Sequence, residues 1–215
     1  QMIFQGRVRL DHQILLDPAC MVDGQNIVTL DGKILKQQFQ QAKIWRYYKP
    51  SGLVVSECDE KGRKTIFDQL PKNLGRLISV GRLDLKSQGL LLLSNNGYLA
   101  GQLMSPKLGW ERVYHVRVYG HIPDDAKALW QKGLNIEGER FGSISSEILS
   151  SSGRNTWIKM SLCEGRNREI RRAVEYFDCQ VNRLIRVAFG PFDLGTLECG
   201  ELQEVPQHMI KKLKF

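Results

Sequence analysis

The segment from Ser79 to Gly97, SVGRLDLKSQGLLLLSNNG, places one carboxylate between two candidate strands. Asp84 follows Arg82 by two positions, and the apolar run Leu90–Leu93 comes after it. A nearby arginine favours the charged form of a carboxylate and can help to aim it at a ligand. The pattern makes Asp84 a candidate for an ionised carboxylate aimed at a ligand, with Arg82 as a candidate substrate-binding residue beside it. The alternative is a loop aspartate that only caps a local turn.

A second group of charges is the segment EGRNREIRR, residues 164–172. Its arginines Arg168, Arg171 and Arg172 stand three and four positions apart, which predicts one shared helix face. Guanidinium groups suit bidentate recognition of phosphate or carboxylate, so this face is a candidate RNA-binding surface. One of its arginines could also reach the Asp84 carboxylate. The alternative is a solvated helix face that is balanced by local glutamates such as Glu169.

A tyrosine lies in a strand candidate with period-two alternation, Val113–Tyr119. If Tyr114 points to the face opposite Val113, its flat ring is available to stack on an extruded base. Packing in the core of the sheet is the commoner outcome for such a tyrosine.

The composition indicates the kind of partner. The chain has 31 Lys and Arg against 23 Asp and Glu, a net charge of +8 and a pI near 9.3, which favours a polyanion such as nucleic acid. The five cysteines are scattered and the four histidines form no pair at metal-ligand spacing, so we expect no disulfide framework and no metal, and a reducing cytoplasm fits. No apolar run approaches the roughly 20 residues that span a bilayer, so we expect no membrane segment.

Turn signals divide the start of the chain into short pieces. Asp17-Pro18, Asp23-Gly24 and Asp31-Gly32 separate apolar stretches within residues 6–35, which predicts small hairpins. The glutamine-rich stretch that follows is the best linker candidate. We therefore predict a β-rich module over residues 1–36, a linker over 37–43 and a second domain over 44–215.

From residue 44 onward, strand and helix patterns alternate. Period-two runs predict strands at Val113–Tyr119 and Trp157–Leu162. Helical patterns fit four segments: Thr65–Leu70, Tyr98–Met104, Asp124–Lys132 and Asn167–Phe177. The expected class is α+β, with a mainly antiparallel mixed sheet flanked by helices.

Taken in order, the motifs GRLD, GLLLLSNNG, ERVYHV, EGRNREIRR and NRLIRVAFGPFDLG resemble the RsuA/RluB family of ribosomal RNA pseudouridine synthases. The resemblance covers about residues 44–205 and implies the pseudouridine synthase fold. The opening YYKPSGLVVS and the pairing of EGRNRE with NRLIRVAFG look closer to the RluB branch. That branch acts on large-subunit ribosomal RNA, so 23S is expected rather than 16S.

The resemblance also implies roles for single residues. The GRLD aspartate of the family is its catalytic residue, which corresponds to Asp84 here. The strand tyrosine corresponds to Tyr114, and Leu184 resembles the apolar residue that packs against the target base. The basic partner of the aspartate comes from EGRNREIRR, where we favour Arg171 over Arg168.

The implied reaction is the isomerisation of uridine to pseudouridine. The N1 glycosidic bond breaks, the base rotates, and a bond forms through C5, so no cofactor is required. Asp84 acts either as a nucleophile or as the base that begins glycal formation.

We expect a cytoplasmic monomer that binds ribosomal RNA. The alternative is a non-catalytic RNA-binding or ribosome-assembly factor. Asp84 argues against it, because a carboxylate among arginines that bind phosphate would oppose RNA binding by repulsion between like charges. A hydrolase with paired carboxylates is weaker still, because Asp84 has no second acid close in sequence.

The first module has a resemblance of its own. QGRVRLDHQILLDPACMVDGQNIVTLDGKIL resembles the second half of an S4 (α-L) RNA-binding domain, without the helical first half. We therefore expect that further residues precede Gln1 in the natural protein.

Overall fold

Four short strands make up the first of the chain's two units, which extends over Gln1–Gln41. They are β1 (Val8–Leu10), β2 (Gln13–Ile14), β3 (Val28–Leu30) and β4 (Lys33–Ile34), all antiparallel, in the order β2-β1-β3-β4. Asp31 and Gly32 both have positive φ, as a two-residue hairpin turn requires. The hairpin predicted at Asp31-Gly32 is confirmed. The other hairpin joins β1 to β2 at Asp11-His12, not at the predicted Asp17-Pro18, and Gly24 of Asp23-Gly24 lies outside the described residues.

This computed structural model describes residues 1–23, 25–35 and 41–213. Of the predicted linker, 37–43, residues 37–40 lie outside the described part of the chain. The domain limits 1–36 and 44–215 therefore stay predictions.

A nine-stranded sheet dominates the second unit, Ala42–Phe215. Its strands are β5 (Ile44–Lys49), β6 (Ile78–Val80), β7 (Gln88–Ser94), β8 (Arg112–Tyr119), β11 (Ser145–Ser152), β12 (Asn155–Leu162), β13 (Gln180–Phe189), β14 (Phe192–Asp193) and β15 (Leu202–Glu204). The central path runs β11-β12-β8-β13-β7-β5-β15, with β6 paired to β7 and β14 paired to β13. Of the strand pairs in the described ranges, β13–β7 alone is parallel, in agreement with the predicted mainly antiparallel sheet.

Helices and a small hairpin surround this sheet. The helices are α1 (Gly97–Met104), α2 (Ala126–Lys132), α3 (Glu169–Glu175) and α4 (Gln207–Lys211), with 3-10 turns at Lys72–Leu74 and Pro106–Leu108. The hairpin pairs β9 (Asn135–Ile136) with β10 (Glu139–Arg140). Among the described residues, no helix has the length and apolar character that crossing a membrane requires.

The apolar run Leu90–Leu93 is buried on both faces of the sheet, since all four leucines have 0% exposure. Successive side chains of a strand point to opposite faces. Leu90 and Leu92 accordingly join one core cluster, and Leu91 and Leu93 join another. A strand buried on both faces holds the loop before it in a fixed place, and that loop carries Asp84.

One predicted helix is wrong. Thr65 forms an isolated bridge with Val54, and residues 66–70 form a turn. The Asp68 carboxylate accepts hydrogen bonds from the Thr65 amide (2.7 Å) and hydroxyl (3.1 Å). Such local bonds offer the backbone an alternative to the helix.

The other predicted elements differ from the structure only at their ends. Helix α1 begins at Gly97, α2 begins at Ala126, and α3 extends over Glu169–Glu175 rather than the predicted Asn167–Phe177. Strand β8 begins one residue before its predicted start, and β12 begins two residues before. Ends are the least reliable part of a prediction from periodicity.

Candidate active site

A cleft of about 390 Å³ opens beside the loop between β6 and β7. Five of the six predicted site residues line it: Arg82, Asp84, Tyr114, Arg168 and Leu184. The sixth, Arg171, lines an adjoining groove instead. Residues that are separated by 100 positions in sequence are thus brought to one concave surface, of the kind that small ligands occupy.

Asp84 is half-buried in this loop, and its backbone rather than its side chain closes the turn. The carbonyl of Asp84 accepts a hydrogen bond from the Ser87 amide at 2.9 Å. Among the described residues, no hydrogen bond and no ion pair within 4.0 Å engages the Asp84 carboxylate. The alternative that this side chain caps a turn is therefore wrong, and the carboxylate borders the cleft.

Lys49, at the end of β5, stabilises the loop that carries Asp84 through hydrogen bonds to backbone carbonyls. Its side chain has 0% exposure, and Nζ donates to the carbonyls of Pro50 (2.9 Å), Asp84 (3.3 Å) and Ser87 (2.9 Å). Burial lowers the pKa of Lys49 to about 8, and the negative charge of Asp84 opposes that shift. A pKa near 8 leaves the ammonium mostly charged at neutral pH, with three protons for three acceptors. Lys49 was not among the site residues predicted from the sequence, although the motif YYKPSG contains it.

Arg171 is buried on α3, with 5% exposure. Its guanidinium donates to the carbonyls of Val181 (3.1 Å) and Lys86 (3.3 Å). Burial lowers the pKa of Arg171, as does the charge of Arg168, whereas the Asp84 carboxylate raises it. No N···O distance within 4.0 Å joins Arg171 to Asp84, so the two residues form no ion pair in this structure, and their partnership stays a prediction.

The predicted shared face of three arginines is wrong. Arg168 precedes the helix in a left-handed conformation (φ 50°), and its guanidinium lies 3.5 Å from the Glu175 carboxylate. Arg172 forms an ion pair with Glu139 at 2.5 Å on the neighbouring hairpin. With Arg171 turned inward, the three side chains contact three different parts of the protein.

Tyr114 and Leu184 lie on the adjacent antiparallel strands β8 and β13. Tyr114 pairs with Arg186, and Val116 pairs with Leu184, so Tyr114 and Leu184 are diagonal neighbours on one face of the sheet. The half-buried tyrosine packs against core clusters and still lines the cleft. Tyr114 therefore packs in the core of the sheet, and it also borders the cleft, where stacking on a base would take place.

Arg186 is a cleft residue that the sequence analysis did not single out. It has 4% exposure, and its Nε donates to the Leu90 carbonyl at 2.7 Å. Its guanidinium lies 5.2 Å from the centre of the Phe189 ring, and that of Arg112 lies 5.0 Å from it. Burial lowers the pKa of Arg186, and Tyr114 opposes this shift. In the sequence, Arg186 is marked only as the second arginine of the motif NRLIRV.

Glu169 contributes a second carboxyl group to the lining of the cleft. It has 4% exposure, its Oε2 accepts from the Arg166 amide at 3.1 Å, and its Oε1 has no partner among the described residues. Burial raises the pKa of Glu169. The alternative that Glu169 is a solvated charge on an exposed helix face is therefore wrong. The described ranges contain no group of three or more His, Cys, Asp or Glu that could hold a metal ion.

The fold defines the class of the protein. A solved crystal structure of a pseudouridylate synthase matches it with a TM-score of 0.73 and 25% sequence identity, over 98% of this chain and 90% of the other. A structure of an H/ACA RNP bound to a substrate RNA containing 2'-deoxyuridine shares the fold over 70% of this chain and 48% of the other, with a TM-score of 0.52 and 18% identity. The architecture is that of a pseudouridine synthase.

The chain belongs to the RNA pseudouridylate synthase family, whose model matches residues 43–176. It is 42% identical over 212 residues to an uncharacterized RNA pseudouridine synthase of Rickettsia prowazekii (strain Madrid E), covering 99% of this chain and 89% of that protein. It is 40% identical over 197 residues to the ribosomal large subunit pseudouridine synthase B of Yersinia pestis, covering 89% and 62%. The predicted family and fold class are confirmed, and the protein is an enzyme of this family.

Proposed function

We propose that this enzyme isomerises a uridine of large-subunit ribosomal RNA to pseudouridine, with Asp84 as its catalytic carboxylate. The observation that carries the proposal is the Asp84 side chain, which has no protein partner among the described residues and borders a cleft lined by arginines. Relatives named ribosomal large subunit pseudouridine synthase B, from Yersinia pestis and Haemophilus influenzae, support the choice of RNA.

The chemistry moves one bond and one proton. The C1′–N1 bond breaks, uracil rotates, C5 bonds to C1′, and the C5 proton is lost while N1 gains one. An ionised Asp84 serves both routes, because it can attack C1′ as a nucleophile or remove the C2′ proton to give a glycal. The buried cations Lys49 and Arg171 both place positive charge near the Asp84 carboxylate.

The target uracil has to leave its stack before it reaches Asp84. Extrusion costs a few kcal/mol and is easiest in loops and bulges. Tyr114 supplies an aromatic face and Leu184 an apolar side chain at adjacent positions of the cleft wall. These two residues are proposed to hold the extruded base between them.

Several contributions to RNA binding belong to the same proposal. Arg82 and Arg168, both exposed on the cleft rim, contact the nucleotide, and the net charge of +8 favours a polyanion. The hairpin sheet of Gln1–Gln41 acts as an S4-like RNA-binding module. We propose that the enzyme acts on 23S rather than 16S RNA, as a monomer in the cytoplasm.

Chemical mapping of pseudouridine in ribosomal RNA tests the proposal. Cells lacking the protein are complemented with the wild type or with Asp84→Asn, which keeps the side-chain shape and removes its charge. The expected result is the loss of a large-subunit site that only the wild type restores, while the Asp84→Asn protein accumulates and binds RNA. An unchanged map in the deleted strain would instead favour the non-catalytic RNA-binding alternative, and restoration by Asp84→Asn would refute the assigned carboxylate.

A further inference from the structure

We propose that a second groove beside the active cleft binds a backbone phosphate of the RNA next to the target nucleotide. This inference rests on the proposed function. The basic groove, as we name it, has a volume of about 630 Å³. Its lining includes Lys86, Arg168, Arg171, Glu175, Gln180 and Asn182.

The charges that line the basic groove favour an anion. Three of its residues, Lys86, Arg168 and Arg171, carry positive charge, and Glu175 is its one acid among the described residues. That acid lies 3.5 Å from Arg168, in a pair whose two side chains are about half exposed, so the attraction between them is weak and screened. Lys86 has no ion pair within 4.0 Å among the described residues. A phosphodiester would meet a net positive surface here.

Arg171 forms the floor of the basic groove. Two backbone carbonyls fix its guanidinium, and its third donor, Nε, is buried with no hydrogen-bond partner among the described residues. Arg171 has no ion pair within 4.0 Å among the described residues, and the charges of Asp84 and Glu175 only partly offset the effect of burial, which lowers its pKa. An anion in the basic groove would supply the missing charge, while the exposed Lys86 and Arg168 would make the direct contacts.

The basic groove continues the active cleft. Arg168 lines both, and Lys86 follows Asp84 by two positions along the same loop. A ribose held at Asp84 carries a phosphodiester on each side, so the strand has to leave past a rim of the cleft. Arg168 lies at this junction with φ 50°, a left-handed conformation that is unfavourable for a residue other than glycine. Strain of this kind often marks a functional position.

The amides of Gln180 and Asn182 add neutral donors at the start of β13. Amide groups contact phosphate and sugar oxygens without reading sequence. The basic groove is therefore expected to position the strand, and it leaves the choice of uridine to the cleft and to RNA shape.

Salt-dependent binding tests this assignment. The probe is a single-stranded oligouridylate, measured by equilibrium titration at several salt concentrations with the wild type, Lys86→Gln and Arg168→Gln. Loss of one phosphate contact lowers the slope of log affinity against log salt by about 0.7 for single strands. The fall in affinity between 50 and 200 mM salt then becomes about 2.6-fold smaller than in the wild type.

Lys159→Gln is the matched control. Lys159 pairs with His115, the neighbour of Tyr114, and therefore lies on the sheet face opposite the tyrosine. The substitution Lys159→Gln removes the same charge from an exposed site. Its slope of log affinity against log salt is expected to equal that of the wild type. The proposal is overturned if Lys86→Gln also keeps the wild-type slope, or if the wild type does not bind oligouridylate at low salt.

Failure of the basic groove and failure of the proposed function give different results. Pseudouridine mapping reports on the reaction, whereas the salt slope reports on phosphate contact and requires no turnover. Arg168→Gln that loses activity with an unchanged slope would assign Arg168 to the cleft alone and refute its phosphate contact.

Discussion

The buried ammonium of Lys49 donates a hydrogen bond to the backbone carbonyl of Asp84 at 3.3 Å. The same Nζ also donates to the carbonyls of Pro50 and Ser87, each at 2.9 Å. One side chain thereby ties the end of β5 to the start and the end of the turn that carries the acid. Position 84 is fixed through its backbone, which leaves the carboxylate available to substrate.

Lys49→Met is expected to lower the free energy of unfolding by about 2–4 kcal/mol, because carbonyl groups lose a buried donor. The rate of pseudouridine formation should fall more than the affinity for RNA, since the turn around Asp84 loosens. Urea unfolding and single-turnover assays measure the two effects.

Lys43→Met provides the comparison for that substitution. Lys43 immediately precedes β5, and its ion pair with Glu204 (3.0 Å) is more than one-third exposed. Exposed pairs contribute about 1 kcal/mol or less. Equal losses of stability in the two variants would contradict the role assigned to Lys49.

Glu169→Gln is expected to make the protein more stable at alkaline pH. Burial raises the pKa of Glu169 in the folded state, so the folded protein binds this proton more tightly than the unfolded chain. The stability from Glu169 is full below its ordinary pKa of 4.5 and is lost as the pH rises through the raised value. Glutamine keeps an acceptor for the Arg166 amide and carries no charge.

Urea midpoints between pH 5 and pH 8 measure this difference. The urea midpoint of Glu169→Gln should exceed that of the wild type by an amount that increases as the pH rises. Glu175→Gln, which removes an exposed carboxylate from the same helix, is the control. A gap for Glu169→Gln that does not change with pH would rule out the burial effect.

Gly89→Ala is expected to disrupt the junction of β7 and β13. A Cβ on Gly89 would lie 2.3 Å from the carbonyl oxygen and 2.7 Å from the amide nitrogen of Arg186, and Gly89 has φ +100°. Steric overlap and backbone strain together are expected to cost about 2–5 kcal/mol. Thermal unfolding should show the loss, together with reduced activity because Arg186 lines the cleft.

Gly101→Ala is the matched control on α1. Apart from the adjacent residues and the backbone of its own helix, no heavy atom lies within 4 Å of a Cβ built at Gly101. Alanine in an open helix position should be neutral or stabilise by about 0.5–1 kcal/mol. If Gly89→Ala behaved in the same way, the close approach of β7 and β13 would be refuted.

Arg171→Lys is expected to slow pseudouridine formation by roughly tenfold or more, equivalent to about 1.4 kcal/mol or more in the barrier. Lysine keeps the charge but cannot span the carbonyls of Lys86 and Val181 as the planar guanidinium does. The single-turnover rate on substrate RNA measures the effect. Arg172→Lys alters the ion pair between the following residue of α3 and Glu139 on the β9–β10 hairpin, and it should change this rate less. A larger effect of Arg172→Lys than of Arg171→Lys would contradict the role of Arg171.

The sequence by itself determined the motifs and the main elements. Period-two alternation predicted β8 and β12, and a run of four leucines predicted a buried strand after Asp84. These predictions succeed because apolar periodicity reflects burial within one element, which depends on nearby residues. The ordered motifs likewise predicted the family that the comparisons show.

The tertiary structure alone decided which charged residues are buried and where each one points. Lys49 meets Asp84 across 35 positions, and Arg186 meets Leu90 across 96. The sequence left open a solvated helix face that includes Glu169 and Arg171, yet both residues are buried, against the cleft and the basic groove. Local sequence cannot reveal such burial, because its cost is offset by carbonyls and charges that distant strands bring to the site.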